Sequence, residues 1–178
     1  IDNITLIDSN VDFGTPGVYE PGFGDADNAK VFVATSNWGL GGAIKVDASG
    51  IDNFDGVSST GAVFLDASAA TGPVTLLGSA NDNTLVGSLV AGNTLTGGAG
   101  NDVLIGGALA DTLTGNGGND SFFGGKGADM LIGGSGDDFF VGGPGADTIT
   151  SGAGDDVIDY LVASDSVASN SASRTHDK

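Results

Sequence analysis

From Gly97 to Asp159 the sequence repeats every nine residues without a slip. The copies read GGAGNDVLI, GGALADTLT, GNGGNDSFF, GGKGADMLI, GGSGDDFFV, GGPGADTIT and SGAGDDVID. One series of equivalent positions is acidic: Asp102, Asp111, Asp120, Asp129, Asp138, Asp147 and Asp156. A second series, two places later, is large and apolar: Leu104, Leu113, Phe122, Leu131, Phe140, Ile149 and Ile158. Self-similarity at a fixed short period means stacked units, each too small to bury its own apolar face and completed by its neighbours.

Each unit divides into six turn residues and a three-residue strand whose alternation sends the apolar side chain to one face. Glycines at the first, second and fourth positions permit backbone angles closed to other residues, including positive φ. Two units make one coil with a strand on each side, so Asp102 stacks on Asp120, eighteen residues on. The expected fold is all-β: a parallel β-roll, or right-handed β-solenoid, with a β-rich N-terminal cap.

The expected organisation has four parts. Residues 1–43 lack the repeat. Runs such as Asn3 to Ile7 and Lys30 to Thr35 look like strands bounded by Gly, Pro and Asp. With Phe13, Tyr19, Phe23 and Trp38 to pack, this segment is a cap or the start of the solenoid. Residues 44–96 are expected to form degenerate coils. There GSANDNTLV keeps the phase with Asn83 in the Asp position, and the next unit, one residue longer, has Asn93. IKVDAS (Ile44 to Ser49) and VFLDAS (Val63 to Ser68) echo each other at nineteen residues. Either the coil continues towards Ile44, or two unrelated strands share a short motif. Residues 97–159 are the regular array. Residues 160–178, rich in Ser and Ala, are a flexible tail or the start of a truncated segment. The chain begins at Ile1 with no signal-peptide pattern, and it is expected to be a fragment or processed product of something longer.

Charge narrows the partners. Five basic residues against 23 acidic ones give a formal charge of -18, which repels nucleic acid and anionic membranes and suits cations. Strong acidity with few aromatics is also a mark of disorder, and disorder is the expected state without a counter-cation. The 33 glycines have no three-residue period, which excludes collagen. With no Cys there is neither disulfide nor thiolate metal site, and redox compartment stays undecided. No apolar run is long enough to span a bilayer, so no membrane insertion is expected. No H-E-x-x-H or G-x-S-x-G motif occurs and the single His176 lies in the tail, so no enzymatic activity is expected within the chain.

Spacing then selects the cation. Neighbouring strands lie about 4.7–4.9 Å apart, nearly twice a Ca–O bond of about 2.3–2.6 Å. An ion therefore fits between coils with an Asp from each and turn carbonyls beside them. Magnesium wants shorter bonds and keeps its water, and zinc lacks its Cys and His ligands. A nonapeptide orders nine residues while burying one large side chain, so metal binding is expected to be a condition of folding.

These units resemble the RTX, or hemolysin-type, calcium-binding repeats of proteins exported by type I secretion from Gram-negative bacteria. The resemblance implies about five calcium sites. In that family an ion takes the second- and fourth-position carbonyls and the Asp of one repeat. It also takes the first- and third-position carbonyls and the Asp of the repeat two further on. Carried over, the first site uses Gly98, Gly100 and Asp102 with Gly115, Gly117 and Asp120. The second uses Gly107, Leu109 and Asp111 with Gly124, Lys126 and Asp129. The third uses Asn116, Gly118 and Asp120 with Gly133, Ser135 and Asp138. The fourth uses Gly125, Gly127 and Asp129 with Gly142, Pro144 and Asp147. The fifth uses Gly134, Gly136 and Asp138 with Ser151, Ala153 and Asp156. Leu109 and Asn116 replace turn glycines and are expected to strain their sites. Asn83 and Asn93 each remove a charge, which leaves sites upstream of Gly97 undecided. Asp82, Asp137 and Asp155 sit beside the motif Asp and are expected to face solvent.

The same resemblance implies a secreted or cell-surface protein of a Gram-negative bacterium, with the type I secretion machinery as partner. Three functions stay open. The first is a calcium-binding module that folds outside the cell. The second is an S-layer or adhesin segment, using calcium for self-association or for contact with cell-surface polysaccharide. The third is the accessory domain of a secreted protease, lipase or epimerase.

Overall fold

The computed structural model describes residues 2–5, 28–32, 44–49, 62–159 and 169–170, with side chains placed in 44–49 and 62–159. Among the described residues fifteen strands follow in chain order. The first seven are β1 (Asp2–Thr5), β2 (Asn28–Phe32), β3 (Ile44–Asp47), β4 (Ala62–Asp66), β5 (Val74–Leu77), β6 (Thr84–Val86) and β7 (Thr94–Gly98). The regular array adds β8 (Val103–Ala108), β9 (Thr112–Gly117), β10 (Ser121–Lys126), β11 (Met130–Ser135), β12 (Phe139–Val141), β13 (Thr148–Ala153) and β14 (Val157–Ile158). Last comes β15 (Ser169–Asn170). Among the described residues there is no helix, hence none long and apolar enough to cross a membrane.

Odd and even strands separate into two sheets, β1-β3-β5-β7-β9-β11-β13-β15 and β14-β12-β10-β8-β6-β4-β2. Every described pairing is parallel. The chain thus alternates sides at each strand and advances one rung per pair: a β-roll. The cause is local. Each repeat offers a β-branched or aromatic flank around one apolar residue, but from β8 to β11 the strand runs on into the next repeat, so three residues, as between Ala108 and Thr112, reverse the chain in place of the expected six. The Trp38, Phe13, Tyr19 and Phe23 cluster lies outside the described residues, as does most of the tail. Within the tail, Ser169 and Asn170 pair with Thr148 and Ile149 of β13.

The core is a double file between the sheets. Leu85, Leu95, Leu104, Leu113, Phe122, Leu131 and Phe140 are fully buried there, and Phe122 stacks on Phe140 with ring centroids 4.7 Å apart. Register pairs are eighteen residues apart from Leu104 to Ile158, as in Leu104 with Phe122 and Leu113 with Leu131. Upstream the coils lengthen: Leu85 pairs with Leu104, Leu65 with Leu85, and Val46 with Leu76. The coil does continue to Ile44, but the nineteen-residue echo is not its period. Ile44–Asp47 lies in the odd sheet and Ala62–Asp66 in the even one, so the two similar segments face each other across the core. A nineteen-residue step is half a coil there, because residues 48–61 separate the two strands.

Candidate metal centre

Each column Asp stands immediately before a strand: Asp102 before β8, Asp111 before β9, and so on to Asp156 before β14. The side chain therefore emerges at the end of a turn, beneath the equivalent Asp of the next coil. Asp102, Asp111, Asp120, Asp129 and Asp138 are no more than 2 % exposed. Burial of five carboxylates demands compensation, because an ionised group loses its hydration there.

Half of that compensation is visible. Oδ1 of Asp120 accepts the backbone N–H of Asp102 at 2.7 Å, and Oδ1 of Asp129 accepts that of Asp111 at 2.8 Å. Asp138, Asp147 and Asp156 do the same for Asp120, Asp129 and Asp138 at 2.8, 3.0 and 3.0 Å. The other half is missing. Oδ2 of Asp102, Asp111, Asp120, Asp129 and Asp138 is buried with no hydrogen-bond partner. Such a group is costly unless a cation meets it.

Main-chain carbonyls crowd the same stretch of each coil. Gly118 and Gly136 donate their N–H to the carbonyls of Ser135 and Ala153, and Gly125 and Gly127 to those of Gly142 and Pro144. In the opposite direction, the carbonyls of Gly107, Leu109, Asn116, Gly118, Gly125, Gly127, Gly134 and Gly136 point at turn glycines of the next coil. A Cβ on Gly125, Gly127, Gly134, Gly136, Gly143, Gly145, Gly152 or Gly154 would collide with one of them. Second- and fourth-position carbonyls of one coil therefore lie against the turn of the coil above. The turns of Gly98 and Gly115 meet likewise, through the pairing of Gly98 with Asn116. The carbonyl residues singled out from the sequence lie in the later halves of strands and just after them: Gly98 ends β7, Gly115 and Gly117 lie in β9 and Ser135 ends β11, whereas Gly100, Leu109, Gly118 and Gly136 follow a strand. No three His, Cys, Asp or Glu side chains converge among the described residues, so any ion here depends on main-chain oxygens.

Burial, opposed by the backbone hydrogen bonds, also drives the carboxylates towards protonation. It raises Asp102, Asp111, Asp129 and Asp138 to about 6, and Asp120 to about 7. For Asp120 the neighbouring charges of Asp102 and Asp138 add to the effect. A column that protonates for want of a counter-charge is a column built for a cation. Hard carboxylate and carbonyl oxygens fit calcium.

The family comparison agrees. Residues 91–108, 96–131, 105–140 and 132–167 match four copies of the RTX calcium-binding nonapeptide repeat. These residues are similar to the RTX calcium-binding repeats. Together the copies span a little under half of the chain. Neither a curated protein nor a solved structure matches it. The RTX repeat is a structural calcium-binding module and not a catalytic one.

Two features of the RTX array escaped sequence reasoning. The repeat pattern gives first-position glycines the same backbone freedom as the others, yet positive φ falls at the second and fourth positions, as at Gly125 and Gly127 (104° and 144°). The first-position glycines serve space instead. A Cβ on Gly97, Gly106, Gly115, Gly124, Gly133 or Gly142 would strike the column carboxylate of its own repeat. The second feature is a ladder on one edge. Asp82, Asn101, Asn119 and Asp137 each accept, through Oδ1, the backbone N–H of the residue one coil on, Asn101, Asn119, Asp137 and Asp155 respectively, at 2.7–2.9 Å. The signal was an Asn or Asp before the motif Asp in every second repeat, where the alternate repeats have Ala110, Ala128 and Ala146. Leu109 and Asn116 do take left-handed backbone, at φ 74° and 86°.

Proposed function

We propose that the chain is a calcium-dependent β-roll module of a secreted or cell-surface protein, with five ions held between successive coils. The five buried Oδ2 atoms without partners carry this reading. The ligand sets are those given above, from Gly98, Gly100, Asp102, Gly115, Gly117 and Asp120 through to Gly134, Gly136, Asp138, Ser151, Ala153 and Asp156. Each offers two carboxylates and four carbonyls, a count suited to calcium's preference for about 6–8 oxygens. Bound calcium supplies positive charge to oxygens that otherwise repel. The residues do the rest: Oδ1 fixes each carboxylate to the coil below, and the turn glycines let the carbonyls converge. Extracellular calcium modules bind at about 10⁻⁴–10⁻³ M, so the chain would stay unfolded in a low-calcium cytosol and fold outside. The test is far-UV circular dichroism in EGTA and in millimolar calcium, with stoichiometry from calorimetry. An unchanged spectrum sinks the proposal.

One observation favours a second reading, a lattice or adhesin segment. The outer face of the even sheet carries Val103, Ile105, Phe123, Phe139 and Val157, with Phe123 37 % and Val157 55 % exposed. Calcium-dependent oligomers in sedimentation velocity support it, and a monomer at all calcium levels excludes it.

A further inference from the structure

Both columns end, on their upstream side, in an asparagine, and there the hydrogen bonding changes sense. Asn83 and Asn93 are 3 % and 4 % exposed and occupy the column position. Nδ2 of Asn93 donates to the carbonyls of Ser88, Ala91 and Gly106 at 3.0, 2.9 and 3.2 Å, and to Oδ1 of Asp111 at 2.9 Å. Nδ2 of Asn83 donates to the carbonyls of Ser79 (3.2 Å) and Asn81 and to Oδ1 of Asp102 (2.8 Å). Their Oδ1 atoms are satisfied as well. That of Asn83 accepts from the N–H groups of Val63 and Ser79 and the hydroxyl of Ser79, and that of Asn93 from the N–H groups of Val74 and Ser88.

The acceptors around each Nδ2 have a familiar identity. They are turn carbonyls of the same repeat and the column carboxylate of the coil above, joined for Asn93 by that coil's first-position carbonyl. These are the groups assigned to calcium in the regular array. In the regular array the carboxylate Oδ2 is buried with no hydrogen-bond partner, and needs a counter-charge. An amide Nδ2 faces the same oxygens with two N–H bonds, and needs none.

We infer that Asn83 and Asn93 are amide locks, which take the place of calcium in the two rungs they close and make the coils upstream of Gly97 independent of metal. The residue at the column position, Asn or Asp, thereby decides which rungs take an ion.

Packing supports the same division. β4 and β5 each bury two large apolar side chains, Val63 with Leu65 and Val74 with Leu76, with Ala67 and Ala70 alongside. Most strands of the regular array bury one, such as Leu104 or Leu113, with β12 the exception in burying Phe140 and Val141. The locked rungs thus have both the hydrogen bonds and the core to stand without an ion. They also finish the acidic stack: Oδ1 of Asp102 receives the N–H and the Nδ2 of Asn83 at 2.7 and 2.8 Å, where another carboxylate would repel it. Calcium-requiring coils then have an ordered edge on which to build.

This inference rests on the calcium reading for residues 97–159, and one experiment separates the two. Amide hydrogen exchange is followed on the whole chain in EGTA and in excess calcium. Val63, Val74, Ser79 and Ser88 are expected to exchange at least about tenfold more slowly than amides of 97–159 in EGTA, with calcium slowing only the latter. Equal exchange of both regions in EGTA overturns the locks. Insensitivity of 97–159 to calcium overturns the calcium reading and leaves the locks to be judged on the upstream amides alone. The double variant Asn83→Asp/Asn93→Asp is expected to lose upstream protection in EGTA, regain it in calcium, and bind about two more ions per chain. An unchanged ion count with upstream protection kept in EGTA also overturns the locks.

Discussion

Oδ1 of Asp120 holds the backbone N–H of Asp102 at 2.7 Å while its Oδ2 lies buried with no hydrogen-bond partner. One oxygen builds the coil and the other waits for charge. Stacking places Asp120 between two proposed sites, one shared with Asp102 and one with Asp138, whereas Asp156 belongs to one. Asp120→Ala should therefore abolish about two calcium equivalents and Asp156→Ala about one, read by isothermal titration calorimetry. Equal losses from the two variants would contradict the shared-carboxylate arrangement.

Acid should partly replace calcium. The folded-state pKa values of Asp102, Asp111, Asp129 and Asp138 are raised to about 6, and that of Asp120 to about 7, against an ordinary 3.8. The folded form thus binds more protons than the unfolded form between those values, and stability falls as pH rises. Their contribution is fully present below about pH 4 and lost through about pH 6–7. In EGTA, lowering the pH from 8 towards 4 should increase β-structure by circular dichroism. In calcium the ion affinity should weaken over the same range, because protons and metal compete for the carboxylates. A metal-free spectrum independent of pH would contradict this.

Leu109 holds a left-handed backbone at φ 74° with its side chain 58 % exposed. That conformation costs an ordinary residue about 1–2 kcal/mol, and the added chain freedom of glycine offsets about 0.5–1 kcal/mol. Leu109→Gly should stabilise the calcium-loaded roll by up to about 1 kcal/mol, seen as a higher thermal midpoint. Asn116→Gly should change little, since Asn tolerates φ 86° far better. A lower midpoint for Leu109→Gly would mean that the leucine side chain makes contacts outweighing its strain.

What could be read from sequence follows from the lock between period and pairing. Where the period is strictly nine, Asp120 must stack on Asp102 and Phe122 on Leu104, and the parallel pairing of β8 with β10 has that register. Upstream, coil length varies, and spacing no longer says which side a strand joins. Val46 and Leu65 sit in similar words of sequence but on opposite sheets. The ladder from Asp82 to Asp155 was overlooked because its side chains are exposed and only backbone geometry gives them a task. The amides of Asn83 and Asn93 looked like lost charges, and only their donors' directions disclose a substitute for one.

The first-position glycines offer the sharpest test of space against backbone freedom. Gly115 is absent from the left-handed positions, yet a Cβ there would meet both Oδ2 of Asp120 and the ring of Phe122. Neither can retreat: the carboxylate is tied through Oδ1 to Asp102, and Phe122 is stacked on Phe140. Gly115→Ala should cost roughly 1–3 kcal/mol through overpacking and should weaken calcium binding at the sites that share Asp120. The chain contains its own control. The last repeat carries Ser151 at this position, where Asp156 is only half-buried. Replacing Ser151 by Ala or Gly should therefore change the stability by no more than about 0.5 kcal/mol. If Gly115→Ala proves equally harmless, the carboxylate is not packed on the glycine as the structure has it.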